Sequence, residues 1–191
     1  MVGAVEPWIG EGTFPVPNGA ITSRYGESRS YGPHKGIDIA GKLGTTVVAI
    51  FAGQVSAIYP NGELDGYGIT VLVQHSPNLW SLYAHLAATP LVKGQLVSSG
   101  ERIGALGGTA GNGINRDAVV TPHLHFELLN QWPPDGRTSN RLNPNLLLST
   151  LANQKSATQP HLSAMVGQTD LLPLAVMLAL GVLFWRYRTT P

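Results

Sequence analysis

The chain has 191 residues, which is enough for one hydrophobic core and a short appendage. Its formal net charge is only +1, from 12 Lys and Arg against 11 Asp and Glu, so no electrostatic attraction to nucleic acid is predicted. The chain has no cysteine, which excludes disulfides and thiolate metal ligands, so any metal ion must be bound by histidines and carboxylates.

The first part of the chain is predicted to be an irregular lead-in followed by a mainly β domain. The lead-in, residues 1–16, contains Glu6 and Glu11 and no basic stretch before an apolar run, so we expect no secretory signal there. The domain, residues 17–150, is rich in glycine and proline and has no sustained helical periodicity. Runs rich in β-branched and aromatic residues predict strands at 46–51, 54–59, 69–74 and 79–83. Their spacing of about ten residues indicates an antiparallel sheet or a barrel-like domain.

Leu146–Leu151 is predicted to close the domain as a short helix. Residues 151–169, rich in Ser, Thr, Gln and Asn, are predicted to follow it as a flexible linker. Residues 170–186 are predicted to form a transmembrane helix, and residues 187–191 a short basic tail.

The transmembrane prediction depends on the uncharged apolar run Leu171–Trp185. This run spans roughly 22 Å as a helix, less than the roughly 30 Å of a hydrocarbon core, and the length alone favours a buried helix of a soluble domain. However, the run is apolar on all sides and ends in residues typical of a membrane interface: Trp185, Arg186, Tyr187 and Arg188. We therefore favour a single-pass C-terminal anchor.

Four polar side chains indicate a candidate metal hydrolase site. His123 and His125 are two residues apart in a predicted strand, so both side chains point to the same face. His34 and Asp38 form a second pair far upstream. A catalytic zinc site needs three protein ligands and one open position. One nitrogen and one carboxylate from the upstream pair, with one nitrogen from the strand, would complete it and leave the other strand histidine for proton transfer.

The other histidines and two carboxylates have different predicted roles. His85 ends a predicted strand and is a further candidate for a non-ligand histidine. His75 and His161 are predicted to have structural or solvent-exposed roles, and Asp117 to be a solvated loop charge. Glu127 shares the face of the histidine pair, and we expect it to support the site rather than to act as a general base.

The order of these motifs resembles that of the lysostaphin/LytM-type zinc endopeptidases, the M23 peptidase family. The residues that carry the resemblance are His34-Lys-Gly-Ile-Asp38, Gly66-Tyr-Gly68, Tyr83-Ala-His-Leu86, Pro122-His-Leu-His-Phe-Glu127 and Asn143-Pro144. The resemblance covers essentially the whole predicted β domain. It implies an antiparallel β-sheet groove with a metal ion on its floor.

The resemblance also implies a role for each site residue. One zinc ion per chain would be bound by His34, Asp38 and His125, while His85 and His123 would be the catalytic non-ligand histidines. The implied reaction is hydrolysis of a peptide bond in the stem peptide or cross-bridge of peptidoglycan. The segment 109–121 departs from the family pattern, so substrate preference is not implied.

A catalytically inactive module is the alternative interpretation. Such a module would regulate another hydrolase or serve as a membrane-attached structural protein. The presence of all five site residues favours the enzyme.

The expected location follows from the substrate and the tail. Peptidoglycan lies outside the cytoplasmic membrane, and Arg186 and Arg188 predict a cytoplasmic C-terminus for the anchor. An N-terminal domain that crosses without a signal favours a virion enzyme in the internal membrane of a phage. The bacterial cell envelope is the other location considered.

Overall fold

The computed structural model describes residues 11–30, 32–60, 62–111, 119–131, 140–145, 147–148 and 151, which all belong to one unit, residues 1–154. Twelve strands are found among these residues: β1 (Ala20–Ser23), β2 (Ser28–Arg29), β3 (Gly32–Pro33), β4 (Ile37–Ala40), β5 (Thr46–Val48), β6 (Gly53–Tyr59), β7 (Ile69–Ser76), β8 (Leu79–Ala88), β9 (Leu96–Val97), β10 (Arg102–Thr109), β11 (Val119–Leu129) and β12 (Arg141–Leu142).

Ten of these strands form one sheet in the order β1-β4-β11-β10-β8-β7-β6-β9, with β12 paired to β11 and β5 paired to β10. Every pairing is antiparallel, as predicted. β11 lies against β4, β8, β10 and β12 along different parts of its length, so it is the strand on which the sheet is organised.

The alternation of side chains in β4 and β11 separates the core from the site. Successive side chains of a strand point to opposite faces. One face carries apolar side chains with no exposed surface, namely Ile37, Ile39, Leu124 and Phe126. The residues between them face the other way, and the register places His125 directly opposite Asp38. The same period that builds the core therefore brings the two polar segments together.

Two of the four strands predicted over residues 46–83 are present with small extensions, β8 continues five residues beyond its predicted end at residue 83, and the first strand is shorter than predicted. β5 ends at Val48, whereas the pattern predicted a strand to residue 51. Beyond that point the Ala49 N–H donates to the Glu101 carbonyl at 2.8 Å, and the Ile50 N–H donates to the Tyr83 hydroxyl at 2.9 Å. The run stays buried but leaves the ladder, because a side chain takes the place of a strand partner.

Residues on both sides of the β domain pack onto its core. Val16 has no exposed surface, and the Thr13 N–H donates to the Ile50 carbonyl at 2.7 Å. At the other end the described residues of 144–151 are helical, as predicted, and Leu148 and Leu151 are buried in the core. The packed residues therefore extend beyond the predicted limits of 17 and 150.

No helix among the described residues is long and apolar enough to cross a bilayer. The first ten residues of the lead-in lie outside the described residues. The same holds for residues 152–191, which include nearly all of the predicted linker and the whole of the predicted transmembrane helix and basic tail.

Candidate metal centre

Three side-chain atoms converge on one point between β4 and β11. His34 Nε2 lies 3.1 Å from both His125 Nδ1 and Asp38 Oδ1, and His125 Nδ1 lies 2.9 Å from Asp38 Oδ1. In a tetrahedral zinc site with bonds of 2.0–2.1 Å, ligand atoms are separated by about 3.3 Å. All three residues are buried, and their geometry can hold a metal ion. Two imidazoles and a carboxylate are also a donor set that zinc accepts.

Neighbouring groups direct two of these atoms toward the point of convergence. His34 Nδ1 lies 2.9 Å from the Arg24 carbonyl, which can only accept, so Nδ1 can hold the ring proton while Nε2 binds a metal ion. Arg29 Nη2 donates to Asp38 Oδ2 at 2.6 Å, which leaves Oδ1 facing the two histidines.

The environment of Asp38 keeps its carboxylate ionised. Burial opposes the charged form, but hydrogen bonds from His125, His34 and Arg29 outweigh it and hold the pKa of Asp38 well below its ordinary value. At neutral pH Asp38 therefore contributes a negative charge to the centre, which favours binding of a divalent cation.

The two remaining histidines lie beside this centre. The rings of His85 and His123 have centroids 4.6 Å apart, and His123 Nε2 lies 3.7 Å from Asp38 Oδ1. Each histidine places Nδ1 against a carbonyl, His85 against Thr109 at 2.7 Å and His123 against Thr121 at 2.6 Å. Nδ1 is thus the donor in both rings, and Nε2 is left as a proton acceptor. Burial lowers the pKa of His85 to about 4, so this ring is neutral at pH 7.

His85 lies where β8 changes its neighbour. Ala84 pairs with His125 of β11, whereas Leu86 pairs with Leu106 of β10. His85 has φ of 59° and its N–H donates to the Tyr67 carbonyl at 2.9 Å. A non-glycine residue in this region costs about 1–3 kcal/mol, and such residues cluster at functional sites.

Glu127 supports the centre from behind. It has no exposed surface, and its Oε1 lies 3.1 Å from His125 Nε2. The Tyr67 hydroxyl donates to Oε1 at 2.5 Å, and Arg141 Nε donates to Oε2 at 2.8 Å. Burial would raise the pKa of Glu127, but the hydrogen bond from His125 and the charges of His125 and Arg141 outweigh it and lower the pKa. With both oxygens engaged, this carboxylate is placed to support His125 rather than to activate water.

All five predicted site residues line one surface groove. His34, Asp38, His85, His123 and His125 share it with other groups that include the charged residues Arg29, Lys35 and Asp65. A peptide lying in the groove would therefore pass over the point of convergence and beside both free histidines.

Four contributors to the site carried no clear signal in the sequence: Arg29, Tyr67, Thr109 and Arg141. Only Tyr67 had a local cue, since it lies between two glycines. Thr109 acts through its backbone carbonyl, which any residue would supply. Arg29 and Arg141 act through side-chain contacts 9 and 14 positions away, which no short motif encodes.

The remaining sequence predictions concern His75, His161 and Asp117. His75 is buried, with Nδ1 2.8 Å from the Ala52 carbonyl and Nε2 2.7 Å from Ser81 Oγ, in keeping with its predicted structural role. His161 and Asp117 lie outside the described residues.

The sequence of this domain matches a known family. The family described as peptidase family M23 matches residues 32–144, which is more than half of the chain and includes all five site residues. The chain therefore belongs to peptidase family M23.

The names of two relatives refer to murein, the peptidoglycan of the bacterial cell wall. The chain is 32% identical over 110 residues to the murein hydrolase activator NlpD of Escherichia coli, covering 58% of this chain and 26% of the relative. It is also 32% identical over 127 residues to the peptidoglycan DD-endopeptidase ShyA of Vibrio cholerae, covering 66% of this chain and 26% of the relative. The chain thus spans about a quarter of the length of these two relatives.

Solved structures have the same fold. The catalytic domain of a prophage-encoded M23 protein, EnpA from Enterococcus faecalis, has a TM-score of 0.54 at 26% identity, covering 71% of this chain and 95% of that one. Lysostaphin from Staphylococcus simulans has a TM-score of 0.58 at 23% identity, covering 82% of this chain and 56% of that one. The expected lysostaphin-like antiparallel β fold is confirmed.

Proposed function

We propose that the chain is a zinc metalloendopeptidase that hydrolyses peptide bonds in peptidoglycan. The observation that carries this proposal is the convergence of His34 Nε2, Asp38 Oδ1 and His125 Nδ1, at 2.9–3.1 Å from one another, in a groove that also contains two non-ligand histidines. Membership of peptidase family M23 supports the reaction class, and the names of the relatives support the substrate class.

One zinc ion would be held by His34, Asp38 and His125. When bound there, zinc supplies a Lewis acid that polarises a peptide carbonyl and acidifies water. With three protein ligands, such an ion would keep a fourth position for water or substrate, as a catalytic site requires.

His85 and His123 would move the protons of the reaction. Each keeps Nε2 as an acceptor because its Nδ1–H is held by a carbonyl. One of them accepts a proton as water attacks the carbonyl carbon, and the charged imidazole then stabilises the negative charge that develops on the carbonyl oxygen. The proton passes to the amine nitrogen as the carbon–nitrogen bond breaks, which leaves a new carboxyl end and a new amino end.

A zymogram tests this proposal. Purified cell wall embedded in a gel should be cleared by the full chain, EDTA should abolish the clearing, and zinc should restore it. The His123→Ala variant should bind one zinc ion per chain but produce no clearing. Clearing that EDTA does not affect would overturn the assignment of a metal to this site.

A second candidate function is regulation without catalysis. It is favoured by the name of one relative, a murein hydrolase activator that is 32% identical over 110 residues. An activator would stimulate a second murein hydrolase while releasing no peptide ends itself, and the His123→Ala variant would stimulate equally well. We favour the peptidase because all five site residues are present and lie in one groove.

We also propose that residues 170–186 anchor the enzyme in a membrane, with residues 17–150 as the catalytic domain and 151–169 as the linker. The support is the uncharged apolar run Leu171–Trp185 with arginines after it. The likeness to a prophage-encoded M23 protein supports a phage source. We therefore place the anchor in a phage virion membrane, with the bacterial envelope as the alternative. Fractionation of virions and host membranes with an antibody to the chain distinguishes the two, and recovery only in soluble fractions would contradict the anchor.

A further inference from the structure

Both carboxylate oxygens of Glu127 have hydrogen-bond partners. Oε1 accepts from the Tyr67 hydroxyl at 2.5 Å and lies 3.1 Å from His125 Nε2, while Oε2 accepts from Arg141 Nε at 2.8 Å. Glu127 has no exposed surface, and Arg141 is 7% exposed. A buried carboxylate held on both oxygens, with a cation as one of its partners, has one position and one charge state.

This fixed carboxylate gives His125 Nε2 an acceptor for its proton. An imidazole can bind a metal through Nδ1 only if its remaining proton is on Nε2. A carboxylate facing Nε2 favours that proton, because the pair then forms a charge-assisted hydrogen bond. Asp38 Oδ1, 2.9 Å from Nδ1, competes for the same proton, so Glu127 shifts the balance toward the form that can bind a metal.

The segment just before β4 leaves room for Glu127 at Gly36, which has no side chain. A Cβ added to Gly36 would overlap the Phe126 carbonyl and lie 2.9 Å from Glu127 Cγ. Gly36 lies between the two upstream ligands, His34 and Asp38. The glycine of this motif is thus explained by the close approach of Glu127 as well as of the β11 backbone.

We propose that Glu127 is a positioning residue that fixes the ring orientation of His125 and favours a proton on Nε2 over one on Nδ1, and that Tyr67 and Arg141 in turn hold Glu127. This inference depends on the proposed function, since it gives His125 its form as a zinc ligand. Glu127 acts through His125 and does not contact substrate. Its two oxygens already have partners, and it does not line the groove.

The first test compares the zinc affinity of the full chain with that of its Glu127→Gln variant, using a competing chelator. Glutamine has the same shape but carries no charge, and its amide must place a donor against His125, Tyr67 or Arg141. Loss of such a partner of a metal-bound histidine weakens metal binding about 10–100-fold. The Tyr67→Phe variant keeps the carboxylate and removes one of its donors, so we expect a smaller loss in the same direction.

The second test reads the tautomer in the metal-free chain by ¹⁵N NMR of the histidine rings. In the wild-type chain Nε2 of His125 should carry a proton. In Glu127→Gln the proton should be found more on Nδ1, where Asp38 Oδ1 lies 2.9 Å away. This readout does not depend on activity or on zinc.

Ser81→Ala is the matched control. Ser81 is a buried polar residue of β8, hydrogen-bonded with His75 Nε2 at 2.7 Å and Tyr83 Oη at 3.0 Å. Its loss should lower the unfolding midpoint without changing zinc affinity or the His125 tautomer.

The outcomes separate the inference from the proposed function. If wild-type chain binds zinc and Glu127→Gln binds it equally well with an unchanged tautomer, Glu127 is structural only and the inference is wrong. If the wild-type chain binds no zinc, the proposed function fails, while the NMR comparison still decides whether Glu127 sets the tautomer.

Discussion

His34 Nε2 and His125 Nδ1 lie 3.1 Å apart although the two residues are 91 positions apart in the chain. The antiparallel pairing of β4 with β11 creates this contact, because it sets His125 opposite Asp38, four residues after His34. Each ring also has its other nitrogen against an acceptor, so both rings can keep a proton there while the two facing nitrogens bind a shared cation.

The two histidines of the His-x-His pair should respond differently to alanine. His125→Ala removes a proposed ligand and should lose bound zinc. His123→Ala should keep one zinc ion per chain and lose activity by about 10²–10⁴-fold, the usual contribution of a general acid or base. Elemental analysis and release of peptide ends from cell wall measure the two properties. Zinc retained in His125→Ala would show that the ligand set is wrong.

Removal of zinc should destabilise the chain. A ligand that binds only the folded state, at a free concentration of 100 times its Kd, adds about 2.7 kcal/mol to the unfolding free energy. Thermal unfolding with EDTA should therefore occur at a lower temperature than with zinc. His125→Ala should show no such difference, while His123→Ala should show all of it. An EDTA effect of equal size in both variants would point to another zinc site.

Gly36→Ala should damage both stability and metal binding. The added Cβ overlaps the Phe126 carbonyl and approaches Glu127, and overpacking of this kind costs about 1–3 kcal/mol. Chemical unfolding and a zinc titration measure the two effects.

Gly104→Ala is the control for that variant. Gly104 lies in β10, and its added Cβ would crowd the Ala88 carbonyl of β8, away from the ligands. It should lose stability and keep its zinc affinity. Equal zinc affinities in the two variants would contradict the link between Gly36 and the centre.

His75 should make the fold sensitive to acid. Burial lowers the pKa of His75, so below its ordinary value of about 6.5 the unfolded chain binds a proton that the folded chain does not. The unfolding free energy should therefore fall as the pH drops through this region, by at most about 1.4 kcal/mol per pH unit. His75→Gln cannot titrate and should lose less stability between pH 7 and pH 5. Urea unfolding in EDTA measures this, and an equal loss in both chains would show that His75 is not the responsible group.

The sequence predicted the parts of the structure that depend on local pattern. The period of two in β4 and β11 separates core from site, so the same-face arrangement of His123 and His125 was predictable. The grouping of His34 and Asp38 with that pair followed from the ligand chemistry of zinc, and the family resemblance gave each residue, including His85, its role. Neither source could show that Arg29 holds one oxygen of Asp38.

Other features depend on contacts that a pattern does not encode. β5 ends early because the Ile50 N–H is bonded to the Tyr83 hydroxyl, 33 residues away. Glu127 was expected to support the site because its side chain shares a strand face with His125. The sequence did not predict which residues donate hydrogen bonds to its two oxygens. Tyr67 and Arg141 reach it from residues 60 positions before and 14 positions after it.

The most direct test of a zinc peptidase is mass spectrometry of purified peptidoglycan digested with the full chain. We expect the wild-type chain to produce new amino and carboxyl ends at one type of peptide bond. These ends should be absent with EDTA and absent with His123→Ala. A wild-type chain that holds one zinc ion and releases no peptide ends would contradict this expectation.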